Sequence, residues 1–198
     1  MDLYRSKRRI VGGLEPIIDG LARRGVAPDA VTLSAIPVGL VAGACILASS
    51  SVPPLLLVVP VLAAVRLILN LIDGALARRT GRTHARGEVY NEVGDRVTDL
   101  LFLVPVAFVP GADRTTVLLG ALGAVLASFI GLTTRAAGGE RIYRGILSKP
   151  GRMVLVGGFA VAAFALGPST WGPFGPLLLL GTALTAVERL VVGIRRLD

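Results

Sequence analysis

Residues 70–95 read NLIDGALARRTGRTHARGEVYNEVGD, and oxygen-bearing side chains recur through them at helical spacing. On a helix over 66–78, Asn70, Asp73 and Ala77 share one face at i, i+3 and i+7, with Gly74 beside them. On a returning helix over 87–109, Glu88, Asn91, Asp95 and Asp99 fall on one face and Glu92 is adjacent. The short intervening loop forces the two helices together, so their polar faces meet. Carboxylate and amide oxygens suit a hard divalent cation, Mg²⁺ or Mn²⁺. Gly74 removes a side chain next to Asp73 and lets a bulky group approach the helix backbone. Arg78, Arg79, Arg82 and Arg86 supply the positive field that a diphosphate takes.

These polar residues sit in an apolar chain. Of 198 residues 53% are hydrophobic, and the mean hydropathy of +0.72 is too high for an ordinary soluble domain. Six runs approach the roughly 20 residues that cross a hydrocarbon core: 30–50, 53–77, 88–109, 115–134, 150–168 and 173–194. The expectation is an all-α integral membrane protein with six transmembrane helices. Acids inside such spans are expensive unless they are paired or line a hydrated cavity, so they mark a functional site.

The net charge of +8 does not point to nucleic acid, because the basic residues are placed by topology. They cluster before the first span, in the 78–86 loop, in the 135–152 loop and at the end, while SSSVPP and GPSTWGPFGP carry none. That alternation puts both termini and the candidate site on the cytoplasmic side of the cell membrane. Residues 1–24 lack a signal peptide's apolar core. Leu3, Ile10, Val11, Leu14, Ile17, Ile18 and Leu21 define one helical face, read as an interfacial amphipathic helix on the cytoplasmic leaflet. One domain is expected over 1–198, with the surface helix at 1–24 and the bundle at 30–194.

Several residues take plainer readings. Cys45 is the sole cysteine, so there is no disulfide framework, and His84 reads as a solvated loop residue. Pro105 is expected to kink the third span, Trp171 and Tyr143 to sit at membrane boundaries, and Glu188 to pair with Arg189. Arg66, one turn deeper than Asn70, reads as a counter-ion to the acidic face or as a structural partner of Glu92, Asp95 or Asp99.

The 70–95 segment resembles the signature of the CDP-alcohol phosphatidyltransferase family, D-x2-D-G-x2-A-R-x8-G-x3-D-x3-D. Asp73, Gly74, Ala77, Arg78, Gly87 and Asp95 match in type, and Asn70 and Asn91 stand at its first and third aspartates with every spacing kept. The upstream PDAVT, Pro28–Thr32, is similar to the family's Pro-Asn-x-x-Thr element with Asp29 in place of asparagine. The resemblance implies that a small alcohol attacks the β-phosphorus of a CDP-linked lipid such as CDP-diacylglycerol and releases CMP. It implies Asp95 as the general base, and Asp73, Asn70, Asn91 and Asp95 as metal ligands. Gly74, Arg78, Gly87 and Thr32 would then border the nucleotide diphosphate. In the basic loop 134–152, which binds the acceptor's phosphate in relatives with phosphorylated acceptors, RGILSKPGR weakly resembles an element of the phosphatidylinositol phosphate synthases, matching at Gly145, Lys149 and Arg152. Arg135, Lys149 and Arg152 are thereby candidate acceptor ligands, and a phosphorylated acceptor is allowed. A homodimer is expected from the resemblance alone.

The two asparagines keep an amide oxygen and lose two charges. Three readings follow: an active enzyme with altered metal geometry, one that recruits Glu92 or Glu88, and a catalytically impaired relative that binds nucleotide-lipid or a partner. A small membrane transporter is a further rival, and the Asp-Gly…Ala-Arg…Gly…Asp spacing argues against it.

Overall fold

In a computed structural model, the structure describes residues 3–197, with side chains from Gly12 onward. The face read over Leu3, Ile10 and Val11, and the basic cluster Arg5, Lys7, Arg8 and Arg9, lie outside the described side chains. Eight α-helices follow in order: α1 (Leu3–Arg23), α2 (Pro28–Leu33), α3 (Ala35–Ala48), α4 (Val58–Thr80), α5 (Ala85–Leu103), α6 (Arg114–Ala136), α7 (Lys149–Leu166) and α8 (Phe174–Ile194). Tight 3₁₀ turns at Pro53–Leu57, Val104–Phe108 and Pro168–Trp171 lead into or out of them. The described residues contain no strand.

Among the described residues, five helical stretches are long and apolar enough to cross a membrane: Pro28–Ala48, Pro53–Thr80, Arg114–Ala136, Lys149–Leu166 and Pro168–Ile194. The expected span 88–109 is not among them. Its helix, α5, carries Glu88, Glu92, Asp95, Arg96 and Asp99, and it ends at Leu103 where Pro105 turns the chain into the 3₁₀ stretch. Proline lacks the N–H that would continue the α-helical ladder. The first span is likewise two helices, α2 and α3, meeting at Ser34, whose hydroxyl donates to the Val31 carbonyl at 2.6 Å.

Helix α5 packs on α3, α4 packs on α3 and α7, and α6 and α8 form the most extensive pair. Phe102, Leu103, Val106, Met153, Phe174 and Leu178 fill the centre. Trp171, expected at a boundary, is instead a core residue, 1% exposed, stacked on Phe159 at 6.2 Å and edge-on to Phe174 at 5.5 Å. The Gly/Pro-rich segment around it folds inward and caps the bundle. Tyr143 is exposed, with the Arg141 guanidinium over its ring. Ile18 of α1 packs with Ile72 and Leu76 of α4, so part of the face expected to meet lipid is covered by protein.

Short connections bring the site helices together. α4 ends at Gly81, whose φ of 66° only glycine adopts without strain, and Arg82 N–H donates to the Ala77 carbonyl at 3.1 Å. His84, read as a solvated loop residue, caps α5: its Nδ1 accepts from Gly87 N–H at 2.9 Å. At the other end of the bundle Asp113 caps α6 by accepting from Thr116 N–H at 2.7 Å, and the Thr116 bonds hold its carboxyl below the usual range.

The α6–α8 contact rests on a bare backbone. A Cβ on Gly120 would lie 2.7 Å from Leu178 and 2.9 Å from the Leu179 backbone nitrogen. Helix propensity alone favours alanine over glycine by about 0.5–1 kcal/mol. Overpacking costs about 1–3 kcal/mol and outweighs it. Gly120→Ala is therefore expected to lower the melting temperature of the purified protein in detergent, and an unchanged or raised value would contradict the close approach.

Candidate active site

α4 and α5 present the oxygen-bearing faces to each other, and α2 closes one side. Asp73, buried, accepts from the Thr32 hydroxyl at 2.9 Å and from Gly74 N–H at 2.5 Å. Asn70 Nδ2 donates to Asn91 Oδ1 at 3.3 Å, joining α4 to α5. Thr32, Arg66, Asn70, Asp73 and Asp95, with Val31, Ala35 and Leu69, line a narrow cleft. Thr32 thus stands where the spacing placed it, beside Asp73.

Asp95 is engaged from two sides. Lys149 Nζ donates to its Oδ2, and Arg66 Nη2 donates to its main-chain carbonyl at 3.2 Å while lying 3.8 Å from Oδ1. One turn deeper, Asp99 binds Arg66 through Oδ1 and Arg152 through Oδ2. Arg66, Asp99 and Arg152 are 1%, 3% and 2% exposed, and they come from α4, α5 and α7. Both roles considered for Arg66 converge here, since it touches Asp95 and anchors Asp99.

Other residues of the signature lie toward the α4–α5 loop. A Cβ on Gly74 would meet Arg78 Nη1 at 3.4 Å. Gly87 faces α2 so closely that a Cβ would lie 2.9 Å from Asp29 Oδ1. Asp29 Oδ2 is in turn 3.4 Å from His84 Nε2.

Two of the three acceptor candidates, Lys149 and Arg152, lie one turn apart on α7, and Arg135 lies apart from them. Lys149 borders Asp95, Arg152 is buried on Asp99, and Arg135 is exposed and paired with Glu88. Glu92, weighed as a replacement ligand, is buried and held by Arg96 at 2.6 Å and by Arg141. Arg96 and Arg141 had no assigned role from the sequence. Arg96 was detectable as the i+4 partner of Glu92, but nothing local links Arg141 to a residue 49 positions away. Arg189 does not pair with Glu188. Its guanidinium is buried and donates to the carbonyls of Ala127 (2.7 Å), Arg144 (2.7 Å) and Tyr143 (3.2 Å), while Glu188 lies 3.7 Å from Arg144.

No protein-family model matches the chain. It resembles solved structures of phosphatidylinositol phosphate synthase (PgsA1) from Mycobacterium tuberculosis. The complex with manganese and citrate superposes with a TM-score of 0.74 at 22% identity, covering 90% of this chain and 88% of that one. The form with CDP-DAG bound gives 0.64 at 23% identity, over 92% and 90%. The apo form gives 0.60 at 26% identity, over 92% and 93%. The fold is therefore that of a CDP-alcohol phosphatidyltransferase. The inner membrane protein YnbA of Escherichia coli (strain K12) is 31% identical over 166 residues, 83% of this chain and 82% of that protein. This chain belongs to the family of YnbA and is a membrane protein.

Among the described residues, Asp99 is the sole carboxylate bonded to Arg152 and the principal partner of Arg66. Removing this shared carboxylate leaves two buried guanidinium groups without their counter-ion, at about 3–5 kcal/mol. Asp99→Leu is expected to destabilise the protein by that order in a denaturation titration, and a loss below about 1 kcal/mol would contradict the pairing.

Proposed function

We propose that this protein is a metal-dependent membrane transferase of phospholipid synthesis. It moves a phosphatidyl group from a CDP-linked lipid such as CDP-diacylglycerol to the hydroxyl of a small alcohol and releases CMP. The observation that carries this reading is the cleft shared by Thr32, Asn70, Asp73 and Asp95, next to the arginine-rich α4–α5 connection. In this reading the whole chain acts as one domain, α5 is the sixth span, and α1 lies along the cytoplasmic leaflet. Both termini and the cleft face the cytoplasm, as the arginine asymmetry requires. A homodimer belongs to the same reading.

The donor set fits one hard cation. Among the described residues no three His, Cys, Asp or Glu side chains converge, so the ligands are the Asp73 and Asp95 carboxylates and the Asn70 and Asn91 amide oxygens. Asp73 is the better placed carboxylate, because no cationic side chain of the described residues lies within salt-bridge distance of it, whereas Asp95 already meets Lys149. A Mg²⁺ or Mn²⁺ ion held there would neutralise charge on the phosphoryl oxygens.

Asp95 takes the proton of the acceptor hydroxyl. The freed oxygen bonds to the β-phosphorus of the nucleotide lipid. The bond from that phosphorus to the bridging oxygen breaks, and CMP leaves with the electron pair. Lys149 donates to Asp95 and, as the basic residue beside it, suits an acceptor that carries a phosphate of its own. Gly74, Arg78 and Gly87 flank the nucleotide diphosphate, and Thr32 orients Asp73. The Asn70–Asn91 hydrogen bond favours one second reading, a catalytically impaired relative that keeps nucleotide-lipid binding, because the Asn91 oxygen already accepts from Asn70 and is the poorer ligand for it.

Mass spectrometry of the lipid formed from CDP-diacylglycerol in liposomes, with Mg²⁺ or Mn²⁺ and a panel of alcohols, tests the reaction. Absent turnover with retained binding would favour the impaired relative. Asp95→Asn is expected to lower CMP release by about 100-fold or more while preserving the melting temperature, and undiminished release would overturn its role as base. Asn91→Asp restores a negative ligand and is expected to tighten Mn²⁺ binding roughly tenfold. Unchanged metal dependence would remove Asn91 from the ligand set.

A further inference from the structure

Arg66 is the one arginine in the deep half of α4, and only part of its guanidinium is used. Nη2 binds the Asp99 carboxylate and the Asp95 carbonyl, whereas Nε and Nη1 have no partner among the described residues. Buried donors are nearly always satisfied, so an orphaned pair on a side chain 1% exposed asks for an acceptor. Arg66 lines the same cleft as Thr32, Asn70, Asp73 and Asp95.

Charge gives a second, independent indication. The ion-paired groups comprise five cations, Arg66, Arg96, Arg141, Lys149 and Arg152, and three carboxylates, Glu92, Asp95 and Asp99. Two positive charges are left over in a region of low dielectric, because Glu92 is shared by Arg96 and Arg141, and Asp99 by Arg66 and Arg152. Without Arg66, Arg152 would still neutralise Asp99 and Lys149 would still neutralise Asp95. One of the two surplus charges is therefore Arg66, which lines the cleft. A guanidinium with adjacent open N–H groups matches the oxygens of a phosphate in a forked geometry.

We propose that Arg66 forms the deep wall of a phosphate-binding subsite, receiving a phosphoryl oxygen through Nε and Nη1 on the lipid side of Asn70 and Asp73. What reaches it depends on the reading of the cleft as a CDP-lipid site. That phosphate is either the lipid-linked phosphate of the nucleotide lipid or one carried by the second reactant. Arg66 is then a ligand of substrate and also the group that sets the pose of Asp95 through its main-chain carbonyl.

The test compares wild type, Arg66→Lys and Arg66→Met in detergent, measuring binding of CDP-dioctanoylglycerol and of glycerol 3-phosphate by calorimetry and the melting temperature without ligand. Arg66→Lys keeps the charge and the reach to Asp99 but loses the fork. It is expected to weaken one of the two ligands by about tenfold or more, the loss of roughly one charged hydrogen bond. Whichever ligand weakens identifies the source of the phosphate. Arg66→Met removes one surplus charge, so the ligand-free melting temperature is expected to hold or rise while that binding falls further. A purely structural arginine would do the reverse, with a lower melting temperature and unchanged affinity of the folded protein. If wild type binds CDP-dioctanoylglycerol and both variants bind both ligands within twofold of it, the subsite is overturned and the transferase reading stands. If wild type binds neither ligand, both fall together.

Discussion

Asp99 holds three helices to one another through one carboxylate. Its two oxygens are taken by guanidinium groups from α4 and α7, and it is itself carried by α5. Between helices in lipid, apolar contact alone is weakly selective, because a hydrocarbon tail is as good a neighbour as leucine. A buried ion pair is selective, since a shift of a turn would leave a charge without its partner in a medium that solvates it poorly. The rest of the site is fixed by this constraint. Asp95 lies one turn from Asp99 on α5, and Lys149 lies one turn from Arg152 on α7, so pairing the deeper residues delivers the shallower ones to each other.

The packing around this centre serves the same end by different means. α6 and α8 approach through Gly120 and Gly123 and hold the far wall rigid. The segment between α6 and α7 has no regular structure, yet it is fastened: Arg189 caps three of the surrounding carbonyls and Thr185 accepts from Leu147 N–H at 2.9 Å. A buried arginine bound only to carbonyls satisfies backbone acceptors that no helix would satisfy. It also steadies the stretch that carries Arg141 to Glu92 and leads into Lys149. The cleft is thus framed by a helix pair, a clamped loop and an ion-paired core, with the reactive carboxylates at its mouth.

In the proposed reaction, the oxygens of the cleft and the cations around it divide the work of handling a phosphorylated lipid. Asp73 and the two amides offer ligands to a cation, Asp95 faces a fixed ammonium, and Arg66 offers unused donors on the side away from the surface.

Spacing along the chain determined the essentials of this protein: apolar runs of membrane length, and Asn70, Asp73, Asn91 and Asp95 on two neighbouring helix faces. Helical period and a short connection leave few ways to arrange them, and these local rules act within about ten residues. Legibility ended where partners come from far along the chain. Arg141 on Glu92, Arg152 on Asp99 and Lys149 on Asp95 each span about fifty residues, and charge sign alone does not choose among many arginines. Trp171 was misjudged for the same reason: its neighbours Gly167, Pro168 and Gly172 look like a loop at a boundary, and only the packing of α7 and α8 draws the ring inside. Local period and composition specify which faces are polar. Which charges meet on those faces is decided by tertiary packing, because a buried pair forms only where the bundle brings both members to the same depth.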